Sequence, residues 1–310
     1  MDFQYTPPPQ QSTCMLCDTT TKFEFVHKLR DDKTRNVYQC GTCGHIQIIP
    51  LPSHNDDEWY YQSNQMYKSA LSQISKFQNE ENLMNKYRAF SEDEFKYFKK
   101  YINKNQKIID IGAGYGWFVE LMRNKGYEVD GVEISTEKRQ LVEQRSGIKL
   151  FCWNLLYDIS DAHKDYYDVI SLIHVLEHIS DPKTFLKKAA ELLKPNGMIY
   201  IEVPNFDDYI KILVAEYDAF SYFRGHLSYF TAKTLSNLLI NTGFKNIKIF
   251  GHQNYSFENA LWWMREKRPF LDYHQIDVPE CLQWLNTLYK ERVESEMKST
   301  SLIGIGYRDN

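Results

Sequence analysis

Beyond residue 105, short apolar runs alternate with amphipathic stretches, and that alternation predicts a parallel sheet covered by helices. Lys107–Ile111 and the segments 128–133, 148–151, 168–174 and 198–203 are apolar or alternating runs of strand length. Trp117–Asn124, 136–144 and 182–193 lie between them and carry apolar positions at helical spacing. Strands and helices in that order form βαβ units, which place helices on both faces of one sheet. Lys194-Pro195-Asn196-Gly197 stops the last of these helices sharply and feeds the next strand. Ala232–Asn241 reads as a helix ended by Gly243, followed by strands at 246–250 and Ser301–Tyr307.

Upstream the pattern is different. Segments 22–26, 36–39 and 46–51 are short and strand-like, with Pro50 and Pro52 ending the third. Residues 53–75 are polar and aromatic (Trp59, Tyr60, Tyr61, Tyr67) without a clean period, and the only low-complexity tract is Pro7–Pro9. A helix follows over 80–101, with Leu83, Tyr87, Phe90, Phe95, Phe98 and Tyr101 as its packing stripe. Three units are expected: 1–55, a helical connector 56–104, and a main domain 105–310.

Composition narrows the class. With 43% hydrophobic and 25% charged residues the chain has the balance of a globular protein, which excludes disorder and collagen-like repetition. A net charge of −4 lacks the basic surplus of a protein that grips nucleic acid through phosphates, so no nucleic acid is expected as partner. No run approaches the roughly 18 apolar residues that span a membrane. The opening MDFQYTPPPQQST has neither the basic nor the apolar region of a secretory signal, so a cytoplasmic protein is expected.

In that compartment thiols stay reduced, and the cysteines need a reason other than disulfides. Cys14 and Cys17 form one C-x2-C pair and Cys40 and Cys43 a second, with 22 residues between them. Two such knuckles read as a tetrahedral four-thiolate zinc site of the ribbon type. Four cysteines leave no open position on the metal, so the expected role is structural. Cys152 and Cys281 stand apart.

The chemistry of the main domain gathers at its first turn. The strand Lys107–Ile111 runs into Gly112-Ala113-Gly114-Tyr115-Gly116 and then a helix. Glycines there let backbone approach a ligand at the carboxyl end of the strand, where open α/β sheets bind cofactors. Asp110 lies inside the strand end, and Glu133 closes the next strand, placed to accept both hydroxyls of an adenosine ribose. This combination resembles the class I S-adenosylmethionine-dependent methyltransferases over roughly 105–250 plus the last strand. The resemblance implies an α/β, Rossmann-like sheet, mostly parallel with its last strand antiparallel, and S-adenosylmethionine as cofactor. It sets Gly112, Gly114 and Gly116 against the cofactor with Asp110 nearby, and Glu133 on the ribose. Asn154, after the third strand, matches a position beside the adenine amine. His174-Val-Leu-Glu-His178 matches the fourth-strand segment, with His174 next to the reactive methyl and Glu177 and His178 one turn further on.

A closer resemblance is to methyltransferases of bacterial sugar and surface-polysaccharide pathways, which commonly carry a four-cysteine zinc unit ahead of the core. The paired knuckles, Ile201-Glu-Val-Pro-Asn205 and His226-Leu-Ser-Tyr-Phe-Thr231 carry it. It implies a small-molecule acceptor, a sugar or nucleotide sugar. In related sugar C-methyltransferases a glutamate precedes the histidine of the last segment, and a long C-terminal domain follows. Here Gly225 replaces the glutamate and that domain is lacking, which favours O-methylation. A histidine titrating near neutrality suits removal of the acceptor's proton, so His226 and His174 are the catalytic candidates. Asn205, Tyr222 and Tyr229 are the candidate substrate contacts.

The resemblance also implies a short hairpin between the last two strands, yet about 50 residues (251–300) intervene. Segments 260–264 and 281–293 read as helices, with Leu282, Trp284, Leu285, Leu288 and Tyr289 as an apolar stripe. Such an insert either covers the acceptor pocket or forms a homodimer surface. An RNA methyltransferase with a zinc module and a non-catalytic cofactor-binding module are the competing readings.

Overall fold

The computed structural model describes residues 11–53, 80–156, 163–269 and 280–309. The tract Pro7–Pro9 and the aromatic residues Trp59, Tyr60, Tyr61 and Tyr67 lie outside them. Two short strands, β1 (Ser12–Thr13) and β2 (Thr20–Thr21), pair antiparallel around the first cysteine knuckle. β3 (Phe23–Lys28), β4 (Asn36–Cys40) and β5 (Ile46–Ile49) form an antiparallel meander, with Phe23 opposite Cys40 and Tyr38 opposite Gln47. Helix α1 (Glu80–Phe98) then leads into the main sheet.

Strands β6 (Lys107–Ile111), β7 (Glu128–Val132), β8 (Tyr167–Ile173) and β9 (Leu193–Pro204) are parallel. Helices α2 (Trp117–Asn124), α3 (Thr136–Ser146) and α4 (Pro182–Leu192) connect them. Two short helices, α5 (Tyr209–Leu213) and α6 (Ala215–Ser221), and strand β10 (Ser228–Tyr229) precede α7 (Ala232–Asn241). β11 (Lys245–His252), α8 (Phe257–Glu266), α9 (Gln283–Ser295) and β12 (Ser301–Tyr307) complete the order. Six strands lie side by side as β11-β12-β9-β8-β6-β7, and β12 runs antiparallel to both its neighbours. The expected Rossmann-like methyltransferase sheet, parallel except for its last strand, is therefore present.

Alternation along the strands builds two cores. Ile108 joins Phe98, Phe118 and Met122 on the face covered by α1, α2 and α3. Ile109 and Ile111 join Leu186, Leu235 and Leu239 on the face covered by α4 and α7. Successive residues of one strand point to opposite faces, so each feeds a different layer. Helix ends are fixed locally. The Asp181 side chain accepts from Thr184 N with Pro182 in the first turn, and Thr231 and Thr234 form a reciprocal cap at the start of α7.

Three expectations need correcting. The third strand, 148–151, shrinks to one bridge between Phe151 and Val132, because only that residue meets the edge of β7. Strand β9 begins five residues before Met198: Leu193 pairs with Tyr167, Met198 with Val169, and 194–197 bulge out with Asn196 at φ 61. The 282–289 stripe is packed only in part: Leu282, Trp284 and Leu288 are exposed, Tyr289 packs against Phe257 and the cluster around Trp263, and Val293 is the buried residue of α9.

Candidate active site

The turn after β6 is held by main-chain bonds: the N–H groups of Gly112 and Ala113 both donate to Val132 O, each at 2.8 Å. All three glycines have positive φ, but they meet different surroundings. A Cβ on Gly112 would lie 2.4 Å from Val175 Cγ2, and one on Gly116 2.8 Å from Val142 Cγ1 of α3. Those two make room for packing. A Cβ on Gly114 would meet nothing nearer than Gly112 O at 4.0 Å, so this glycine faces open space.

Glu133 is buried beside it. Its Oε2 accepts from Gly114 N at 2.9 Å and its Oε1 from Ser135 N at 2.8 Å. Each oxygen keeps a lone pair for a ribose hydroxyl. Asp110 accepts from Ser171 Oγ at 2.7 Å; burial pushes its carboxyl up to about 7, the Ser171 bond opposes this, and the Glu133 charge adds to it. Asn154 Oδ1 accepts from Leu156 N at 3.3 Å, beside the stacked rings of Phe151 and Trp153. An open glycine, a lone-pair-bearing carboxylate on the adjacent strand and a flat aromatic wall fit an adenosine cofactor with a charged amino-acid tail.

The end of β8 carries the second half of the site. His174 has φ 54, a strained conformation for a residue with a side chain. That backbone turns its half-buried ring between two buried carboxylates, with Nδ1 3.4 Å from Glu177 Oε1 and Nε2 3.5 Å from Glu202 Oε1. Burial alone would lower its pKa, but the two carboxylates outweigh it and raise it well above the usual imidazole value. Glu177, 1% exposed, is the centre of the cluster: His178 Nε2 lies 3.8 Å and His226 Nε2 4.0 Å from its Oε1. Neither Glu177 oxygen has a hydrogen-bond partner. His178 Nδ1 donates to Gly225 O at 2.6 Å. His226 is held well below its usual pKa by burial first, then by the neighbouring His178 and His174.

A supporting network escaped the sequence reading. Glu202 is fully buried near the carboxyl end of β9, and its Oε1 accepts from His252 Nδ1 at 2.9 Å and from Asn254 Nδ2 at 3.0 Å. His252 Nε2 lies 3.4 Å from Asp93 Oδ2 of α1. Burial depresses His252, yet the Glu202 and Asp93 charges raise it to about 9. An acid inside an otherwise apolar strand was the available signal, because a buried charge needs a partner.

The candidate substrate contacts each have neighbours within the chain. Both Nδ2 hydrogens of Asn205 go to carbonyls ahead of β12, those of Met297 and Ser299, each at 2.9 Å. Its Oδ1 accepts from Asp207 N, so the amide clamps the chain there. Tyr222 and Tyr229 are buried against each other, and Tyr222 stacks on His27 at 4.7 Å. These rings join the cysteine-bearing unit to the main domain.

That junction is a shared sheet. β10 pairs antiparallel with β5, Ser228 opposite Gln47 and Tyr229 opposite Ile46, and Ile48 N donates to Leu227 O at 3.1 Å. His45 Nε2 and Ser228 Oγ are 3.2 Å apart in the interior. Arg30 N donates to Tyr222 O, and Arg224 N to Asp31 Oδ1 at 2.8 Å. The His226 segment is thus carried on the edge of the N-terminal unit. Immediately behind β5, the sulfurs of Cys14 and Cys43 are 3.6 Å apart and those of Cys17 and Cys40 3.8 Å. Four thiolates about 2.3 Å from one tetrahedral metal would be separated by about 3.8 Å, so the cluster has the right size for zinc. Cys152 and Cys281 are exposed and take no part.

Residues 83–249 match the family described as methyltransferase domain. A ubiquinone biosynthesis O-methyltransferase from Yersinia enterocolitica is 30% identical over 105 residues, 33% of this chain and 43% of the relative. The chain thus matches less than half the length of that relative. Among solved structures, an S-adenosylmethionine-dependent methyltransferase from Archaeoglobus fulgidus shares the fold with a TM-score of 0.51 at 19% identity, covering 71% of this chain and 94% of that one. A second, from Thermotoga maritima, also reaches 0.51 at 13% identity, over 81% of this chain and 100% of the other.

Proposed function

Starting from the premise that this chain belongs to the methyltransferase domain family, we propose that it transfers a methyl group from S-adenosylmethionine to a hydroxyl of a small molecule. One observation carries the reading: the glycine turn and the Glu177 cluster touch. The Cβ-less face of Gly112 is filled by Val175, which lies in the segment linking His174 to Glu177. A cofactor on the open side of Gly114 and an acceptor at Glu177 therefore meet at the carboxyl ends of β6 and β8.

When bound, S-adenosylmethionine supplies a methyl group already activated by its sulfonium. The chain must align the acceptor oxygen with that methyl and take away the oxygen's proton. His174 is poorly suited to the second task, because both its ring nitrogens face carboxylates whose charges favour the protonated ring. His226 stays uncharged and lies beside the unpartnered carboxylate of Glu177, so the His226–Glu177 pair receives the proton. Gly114 and Glu133 hold the cofactor, with Asp110 and Asn154 at its margins. The four cysteines hold a structural zinc ion that fixes β5 and, through it, the His226 segment.

O-methylation is favoured by the O-methyltransferase relative and by Gly225. A sugar or nucleotide sugar is the acceptor class suggested by the four-cysteine unit together with the His226–Thr231 segment. The test is transfer of labelled methyl from the cofactor to nucleotide sugars, catechol-type phenols and bulk RNA. Label on a small-molecule hydroxyl supports the reading. Label on RNA alone, or none despite cofactor binding measured by calorimetry, removes it.

A further inference from the structure

The geometry points to a divalent transition-metal site formed by Glu177, His178 and His226, distinct from the four cysteines, that binds the acceptor through its hydroxyl oxygen. The inference rests on the proposed function and deepens it: the cluster that receives the hydroxyl does so through an ion.

The donor atoms of the three side chains lie within 4.8 Å of one another. Ligands about 2.1 Å from a common ion are separated by roughly 3.0–3.4 Å, depending on geometry. The observed 3.8 Å and 4.0 Å from Glu177 Oε1 to the two imidazole Nε2 atoms lie about half an ångström beyond the upper end of that range, and the remaining pair is within 4.8 Å. Small rotations of the side chains close the site.

The chemistry of the atoms argues for a cation more strongly than their spacing does. Gly225 O can only accept, so the His178 nitrogen 2.6 Å from it is the protonated one, and Nε2 presents its lone pair to the cluster. A backbone carbonyl on the far nitrogen is also what usually orients a metal-bound histidine. Both Glu177 oxygens are buried without a hydrogen bond; the His174 ring, 3.4 Å from Oε1, is paired with that oxygen, while Oε2 has no partner, a costly state for a buried carboxylate.

Two imidazoles and one carboxylate suit Mn2+, Fe2+, Co2+ or Zn2+ better than Ca2+ or Mg2+, which prefer oxygen donors. Three protein ligands leave positions open for a hydroxyl and a neighbouring oxygen of the acceptor. The ion lowers the pKa of the bound hydroxyl and fixes the oxygen in place; with His226 Nε2 on the ion, the proton passes to Glu177 Oε2, the carboxylate oxygen left off the ion.

Mn2+ is the probe, because it prefers oxygen and imidazole donors and avoids the thiolate site. Full-length protein, purified with its cysteine site intact and treated with a mild chelator, is titrated with Mn2+ by electron paramagnetic resonance. About one Mn2+ per chain is expected, with binding weakened at least about a hundredfold in Glu177→Gln and in the near-isosteric His226→Gln. S-adenosylmethionine affinity of both variants should equal that of wild type, which shows that they are folded. Methyl transfer should fall on chelation and return with Mn2+. Absence of Mn2+ binding to wild type, or equal binding by both variants, overturns the site. Full turnover in chelated protein also overturns it while leaving the methyltransferase reading intact. Mn2+ binding that needs Glu177 and His226, without transfer to any hydroxyl, upholds the site and removes the methyl-transfer reading instead.

Discussion

Gly112→Ala and Gly114→Ala each add one methyl group to the same turn, yet their surroundings require different outcomes. Gly112 has φ 83, where an alanine costs about 1–2 kcal/mol. Its new methyl would also sit 2.4 Å from Val175 Cγ2, a clash of the kind that costs about 1–3 kcal/mol in a well-packed region. Gly112→Ala should therefore lose about 2–5 kcal/mol, read from the midpoint of urea unfolding. Val175→Ala removes the clashing carbons, so the double variant should recover the packing part, about 1–3 kcal/mol, and keep the backbone part. Gly114, at φ 57 with no neighbour closer than 4.0 Å, should lose only about 1–2 kcal/mol of stability. Its effect should fall on the cofactor: affinity by calorimetry should drop about tenfold or more, equal to about 1.4 kcal/mol or more. The reasoning fails if Gly112→Ala is as stable as wild type, or if Val175→Ala shows no coupling to it. It also fails if Gly114→Ala binds S-adenosylmethionine as tightly as wild type.

Three further outcomes are expected. His226→Gln should lower methyl transfer about 10²–10⁴-fold with cofactor affinity unchanged, whereas His174→Gln should disturb both; full turnover in His226→Gln would move the proton-accepting role elsewhere. Elemental analysis should find about one zinc per chain, and Cys40→Ser should lose the metal together with the order of the 46–49 and 228–229 strand pair, seen as faster amide exchange there; zinc-free protein with that pair fully protected would contradict it. His252 is raised to about 9 in the folded chain against an unfolded value near 6.5. Its stabilisation is thus complete below about pH 6.5 and is lost as pH climbs through about 9, on the order of 3 kcal/mol in all. His252→Gln should flatten the fall in the urea midpoint between pH 7 and 9.5, and an unchanged slope would argue against a charged His252.

Much of this protein is legible in its sequence because the signals are local. The apolar run Lys107–Ile111 marks a strand buried on both faces, and the alternation along Glu128–Val132 marks an edge strand with one face partly exposed. Glycines at 112, 114 and 116 mark a turn that only positive φ can make, and two C-x2-C pairs mark a convergence of thiolates. What the sequence left open depends on which distant segments meet. The run 148–151 has the composition of a strand, but only Phe151 reaches an edge where it can pair. Ser228–Tyr229 is too short to announce itself, and it is a strand because β5 offers an unpaired edge 180 residues earlier in the chain. Asn205, Tyr222 and Tyr229 carry polar groups that suit a substrate, and only the fold shows the carbonyls and rings of other elements beside them. Glu177 was one carboxylate among many until folding buried it, set three imidazoles around it and gave neither oxygen a hydrogen bond. Periodicity and residue type fix which elements can form. Burial and long-range pairing decide which side chains are left with unmet chemistry, and here that decision falls at the carboxyl end of β8.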